Sequence, residues 1–354
     1  MIRDASALPV SGHAASLAAG YRSGERRNRR LALALALLVL VLFAASLTVG
    51  AAEVSPGLAL RDLLAGDDSP GAIIFAEIRL PRALLGLGVG AVLGLAGAAL
   101  QGLLRNPLAE PGVIGVSGSA GLGAVLVFYT GLSAALPIAL PLGGMVGALI
   151  AVGLLHVLAG REGSVLTLVL AGIALNSFTG ALTALTLNLS PNPFAIAEIV
   201  FWLLGSLADR SLLHVTLAAP FMVVGALLLL ATGRGLDALA LGEDTARSMG
   251  FELGRMRARI VLGTALSVGA AVAVSGNIGF VGLVVPHLLR RLVGHQPSRL
   301  LPLSALAGAA LVLAADIGVR LIGPVQELKL GVVTALIGAP FFLALVLKTR
   351  RSLT

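Results

Sequence analysis

Leu31–Ala52, LALALALLVLVLFAASLTVGAA, carries no charge and directly follows Arg26, Arg27, Arg29 and Arg30. About 18 such residues suffice to cross the hydrocarbon core of a bilayer as one helix. Basic residues, an apolar run and then Val49-Gly50-Ala51 also fit a cleaved leader, but the run exceeds the roughly 7–15 residues of a leader's apolar core. We therefore expect a retained first span behind a polar tail, residues 1–30.

Similar runs recur along the chain. Of 354 residues, 57% are hydrophobic and only 12% charged, and the mean hydropathy is +1.00. Soluble globular domains carry about 25% charged residues, so a soluble enzyme is excluded and an all-α integral membrane protein is indicated. Ten spans are expected, near 31–52, 82–104, 112–130, 135–158, 164–188, 212–232, 258–275, 278–293, 300–321 and 330–348. They make one transmembrane domain over residues 31–351. The 45 glycines let membrane helices approach closely. Gly86, Gly90 and Gly94 form such a small-residue stripe, open to a partner helix of the same chain or of another subunit.

An even count of spans puts both termini on one side. If that side is cytoplasmic, 19 of the 25 Lys and Arg residues are cytoplasmic. The other six, Arg61, Arg79, Arg82, Arg210, Arg320 and Lys329, are outside. This asymmetry is what the positive-inside rule predicts. It also explains the pI of about 11.2 without nucleic acid as a partner. The absence of cysteine excludes disulfide and thiolate chemistry.

Two segments between spans are long enough to fold. Residues 190–211, outside, hold Pro191-Asn192-Pro193, and proline suits a helix's first turn, so a short surface helix is expected from Pro193. Residues 233–257, inside, read GRGLDALALGEDTARSMGFELGRMR. Gly242 and Gly250 divide them into two short amphipathic helices, which suit either the lipid headgroups or a cytoplasmic partner.

Motifs for chemistry are few. There is no phosphate-cradling GxxxxGK[ST] loop and no HExxH pair. Gly115-Val116-Ser117-Gly118 could present Ser117 as an intramembrane protease nucleophile if a histidine base lay beside it; a tightly packed helix start after Pro111 explains it equally. Acidic residues are almost confined to span ends, with Glu198 and Asp316 closest to the core, which disfavours an ion-coupled carrier. The fifth span carries the most informative pattern. Gly172, Asn176, Thr179, Thr183, Thr186 and Ser190 recur at steps of 4, 3, 4, 3 and 4, placing them on one helix face. Such a stripe lines a watery path or bonds a neighbouring helix.

Longer blocks then carry a resemblance. RLPRALLGLGVGAVLGLAGAALQGLLRNPLAEPGVIGVSGSAG (Arg79–Gly121), LALGEDTARSMG (Leu239–Gly250), FWLLGSL (Phe201–Leu207), GNIGFVGLVVPHLLRRLVG (Gly276–Gly294) and GVVTALIGAPFF (Gly331–Phe342) are similar to the FecCD family of ABC permeases. These are type II importers of ferric siderophores, haem and vitamin B12. The resemblance implies a ten-span subunit of the bacterial inner membrane with both termini cytoplasmic. It would pair with a second copy of itself or a paralogous permease. Two cytoplasmic ATPase subunits would use ATP, with no cofactor bound by this chain, and a periplasmic binding protein would deliver the cargo. Ferric siderophore is the first expectation, haem and vitamin B12 the alternatives. Asn176, Thr179, Thr183, Thr186 and Ser190 would line the path, and the helix after Pro193 would gate it. Leu239, Gly242, Glu243, Asp244, Ala246, Arg247, Met249 and Gly250 would couple to the ATPase. Arg79, Arg82 and Arg320 would meet glutamates of the binding protein, unless Asp316 holds Arg320 internally. One departure is Glu327-Leu328-Lys329, where the family usually has proline at the third position.

Overall fold

The computed structural model describes residues 10–67, 69–136, 138–159, 165–322 and 328–351, and no strand occurs among them. The chain runs through α1 (Val10–Thr48), α2 (Pro56–Ala65), α3 (Pro70–Ile73), a π-helical turn (Ile74–Arg79) and α4 (Leu80–Leu104). A 3-10 turn (Pro111–Ile114) leads into α5 (Val116–Tyr129), α6 (Leu132–Ala135), α7 (Ala139–Ala159) and α8 (Val165–Leu189). Then come α9 (Pro193–Leu203), α10 (Leu212–Leu230), α11 (Gly233–Ala240), α12 (Glu243–Ser248) and α13 (Leu253–Ser275). The chain closes with α14 (Val281–Arg290), α15 (Pro297–Ile322) and α16 (Leu330–Arg351). The ten apolar runs thus appear as α1, α4, α5, α7, α8, α10, α13, α14, α15 and α16. Among the described residues six stretches are long and apolar enough to cross a membrane unaided, while the cores of α5, α7, α14 and α16 are shorter.

Burial sorts these helices into posts and rim. The spanning windows of α4 and α13 are 78% buried, whereas that of α1 is 11% buried and presents leucines such as Leu33, Leu37 and Leu40 outward. The glycine stripe of α4 faces α15 of the same chain. A Cβ on Gly94 would lie 2.1 Å from the Ser304 carbonyl oxygen, and one on Gly308 would lie 2.2 Å from that of Gly90. Only glycine permits two backbones this close, and close approach is the main source of helix adhesion in lipid.

The eighth span is not the continuous helix 278–293 that hydropathy predicts. Gly276 (φ 69°) ends α13, and Phe280 (φ 66°) stands in the left-handed region before α14 begins. The ten residues of α14 span only about 15 Å, about half of the roughly 30 Å hydrocarbon core, so irregular backbone precedes the helix. Non-helical backbone in a span must be satisfied within the protein. Ser206 N–H donates to the Ser275 carbonyl (2.7 Å), and Phe280 N–H donates to the Glu110 carboxylate. Pro286 cannot donate to the carbonyl of Gly282, four residues earlier. The Gln101 amide donates to that carbonyl instead (3.3 Å), and Arg290 donates to the Gln101 oxygen (2.6 Å).

The helix ends sort into two poles. At the arginine-rich pole, Arg27 donates to the Leu292 carbonyl (2.7 Å), close to α11, α12 and the start of α15. At the opposite pole the links before α10, α14 and α16 meet at three glycines. A Cβ on Gly205, Gly276 or Gly331 would come within 2.4 Å of a backbone oxygen of Asn277, Trp202 or Leu204, respectively.

Candidate functional site

A cavity of about 810 Å³ opens between α5, α8, α9 and the broken segment before α14. Its polar lining includes Asn176, Ser177, Thr183, Ser117, Asn277 and Glu110. Gly118 makes room for this wall, since a Cβ there would sit 2.5 Å from the Asn176 amide oxygen. The stripe on α8 is therefore divided. Asn176 and Thr183 face the cavity, and Ser190 is half-buried at the end of the helix. Thr179 and Thr186, placed on the path by the sequence, are buried. The hydroxyls of Thr179, Thr183 and Thr186 donate to the carbonyls of Leu175, Thr179 and Leu182, one turn back on their own helix, at 2.8–3.0 Å.

Glu110, Asn277, Ser177 and Trp202 were not singled out by the sequence. Glu110 lies in the link between α4 and α5, where burial pushes its carboxyl above the usual carboxylate range and the Phe280 N–H opposes that rise. Only the PL-E-P spacing before Pro111 hinted at it. Ser117 lines the cavity, but no described histidine does: His214 bonds Ser211 (3.1 Å) and His287 packs edge-on against Phe341, and the side chain of His156 lies outside the described residues. Among the described residues no three of His, Cys, Asp and Glu converge as a metal site.

The outer arginines turn inward. Arg79, Arg82 and Arg320, expected to meet a binding protein, are all buried, and Asp316 holds Arg320 as the alternative reading had it. Asp316 binds Arg82 (3.0 Å) and Arg320 (3.0 Å) together. Arg320 also donates to the carbonyls of Ser46 (2.9 Å) and Val49 (2.7 Å), and Arg79 to those of Leu47 (2.9 Å) and Thr48 (2.8 Å). The last carbonyls of a helix lack intrahelical donors and carry its negative dipole end. Two guanidiniums thus cap α1, and the third braces α4 to α15. A second cavity of about 970 Å³ opens beside them, lined by Glu77, Phe201, Asp209, Arg210 and Lys329. Burial lowers the pKa of Arg210 while neighbouring Asp209 raises it. Lys329 lies 5.7 Å from the centre of the Phe201 ring, a cation–π contact. Glu327 lies outside the described residues.

At the other pole α11 and α12 form the expected helical pair, separated by Gly242 (φ 123°) and closed by Gly250 (φ 85°). Leu239 and Ala246 do not reach the surface: both are buried and hold the pair against the bundle. The exposed tip is Leu241, 69% exposed and absent from the expected set, with Met249, 57% exposed. Asp244, Arg247 and Gly250 surround them, and Gly242 and Glu243 are half-buried. Glu243 also binds Arg257 of α13 (3.1 Å).

Comparison with known proteins agrees with this architecture. Residues 37–348 match the model of the FecCD transport family. The vitamin B12 import system permease BtuC of Vibrio cholerae is 43% identical over 78% of this chain and 83% of its own. The Fe(3+) dicitrate transport system permease FecD of Escherichia coli is 39% identical over 86% of this chain and 94% of its own. A solved structure of an inward-facing, metal-chelate-type ABC transporter superposes with a TM-score of 0.80 at 31% identity, covering 90% of this chain and 99% of that one.

Proposed function

The chain belongs to the FecCD transport family of ABC transporter permeases, and from that premise we propose that it carries an iron chelate, a ferric siderophore, into a bacterial cytoplasm. The observation that supports a transport path is the 810 Å³ cavity, in which Asn176 and Thr183 stand opposite the extended segment at Asn277. Pockets for small ligands commonly measure about 300–1,000 Å³, and a second permease copy facing this one would extend the space. The wall is largely apolar, with Ile173, Trp202 and Phe280 among its members and a few polar groups such as Asn176 and Asn277 between them, and among the described residues no cluster stands ready to take a metal from its chelator. The family resemblance supplies the rest of the reading: a periplasmic binding protein, two ATPase subunits seated on Leu241 and Met249, and cytoplasmic termini. Docking glutamates of the binding protein would have to compete with Asp316 and the α1 carbonyls for Arg79, Arg82 and Arg320.

The 43% identity to a vitamin B12 permease favours cobalamin as the second reading. Uptake by the complete transporter in proteoliposomes, given a ferric hydroxamate, hemin and cyanocobalamin in turn, separates the cargoes. ATP-dependent accumulation of the ferric hydroxamate is expected, with Asn176→Leu reducing it. Accumulation of cyanocobalamin or hemin alone would overturn the cargo assignment.

A further inference from the structure

Asp237 lies on α11, next to the exposed tip, but faces the bundle. One carboxylate oxygen accepts the backbone N–H of Ser298 (2.8 Å), and the other accepts the side-chain amide of Gln296 (3.2 Å). Both partners belong to the start of α15, so Asp237 satisfies one of that helix's orphan donors and meets the positive end of its dipole. The same turn touches α11 again at Gly233, where a Cβ would lie 3.2 Å from the Ser298 Cβ. Pro302 has no N–H to return to the Ser298 carbonyl. The first turn of α15 is therefore held from outside the helix as much as from within it.

α15 continues for 26 residues, about 39 Å, and carries Asp316 and Arg320 at its far end. Between its ends it is locked to α4 by the Gly90, Gly94 and Gly308 contacts. α4 in turn carries Arg82, which returns to Asp316. One stiff pair of helices thus joins the tip at Leu241 to the arginine cluster at the opposite pole, and Asp237 is its polar attachment to the tip.

We propose that Asp237 is a positioning residue that passes movement of α11 and α12 to α15, and through it to the outer arginine cluster. This rests on the reading of α11 and α12 as the ATPase-coupling element. The competing route runs from Glu243 through Arg257 to α13.

The test uses the complete transporter, permease, ATPase and binding protein, in proteoliposomes. Hydrolysis is measured with and without cargo-loaded binding protein, alongside uptake. Asp237→Ala should leave assembly and basal hydrolysis intact, and should cut stimulation by the binding protein about ten-fold, a size ordinary for coupling between distant sites. Asp237→Asn keeps an acceptor for Ser298 and should retain most of the stimulation. The chain has no native cysteine, and the 3.2 Å between the two Cβ positions is a few tenths of an ångström short of the roughly 3.5–4.5 Å of disulfides, a gap that a small shift of α11 closes. A Gly233→Cys and Ser298→Cys pair, oxidised in the Asp237→Ala background, should restore stimulation and lose it again on reduction. Full stimulation in Asp237→Ala would overturn the proposal, most directly if Glu243→Gln uncouples instead. Loss of basal hydrolysis together with stimulation, not restored by the disulfide, would reduce Asp237 to a structural role and also overturn it. If the wild-type transporter itself ignored the binding protein, the functional reading would fail, not the latch.

Discussion

Asp316 is bound by two guanidiniums, one from α4 and one from its own helix. A buried ion pair adds little net stability when intact, but removing one partner costs about 3–5 kcal/mol in soluble proteins, because the remaining charge loses its counter-ion. Asp316→Ala should therefore lower the melting temperature in detergent far more than Ser46→Ala, which removes a single hydroxyl acceptor from Arg320 and costs about 1 kcal/mol. Equal melting temperatures for the two variants would contradict the network. This role was partly legible: Asp316, four residues before Arg320, pointed to an internal pair, whereas the other acceptors of Arg79, Arg82 and Arg320 lie 27 to 274 positions away. The α8 stripe was only half legible for a related reason. Steps of three and four fix a helix face but do not reveal whether a hydroxyl looks into a cavity or back to its own helix.

Among the elements, the α4–α15 pair and the broken α14 decide the architecture. The pair depends on glycines whose missing side chains no larger residue can imitate. Gly94→Ala would place a methyl 2.1 Å from a backbone oxygen. Overpacking of this kind typically costs about 1–3 kcal/mol, whereas Gly57→Ala meets nothing within 4 Å. Thermal unfolding followed by tryptophan fluorescence should show the first variant clearly destabilised and the second close to wild type; the reverse order would refute the seam. The ten helices were legible because apolar runs of sufficient length announce themselves. The break before α14 was not, because hydropathy is blind to φ, and the left-handed residue that precedes the helix is Phe280, not a glycine. The short helix α9 and the division of α11 from α12 were legible, since Pro193, Gly242 and Gly250 are local signals with local consequences.

Across the whole molecule, a mainly apolar cavity studded with a few polar side chains lies between two poles of different character. One presents Leu241 and Met249, two exposed apolar side chains on short charged helices. The other presents a charged vestibule above a buried arginine network. No GxxxxGK[ST] loop occurs in the 354 residues, which accords with the proposal that a separate ATPase supplies the energy for uphill transport. The most direct test is cargo accumulation in liposomes that contain this permease with or without its partner ATPase, with binding protein and ATP supplied to both. Accumulation above the outside concentration should occur only when the ATPase is present. Uphill accumulation by the permease alone would contradict the account.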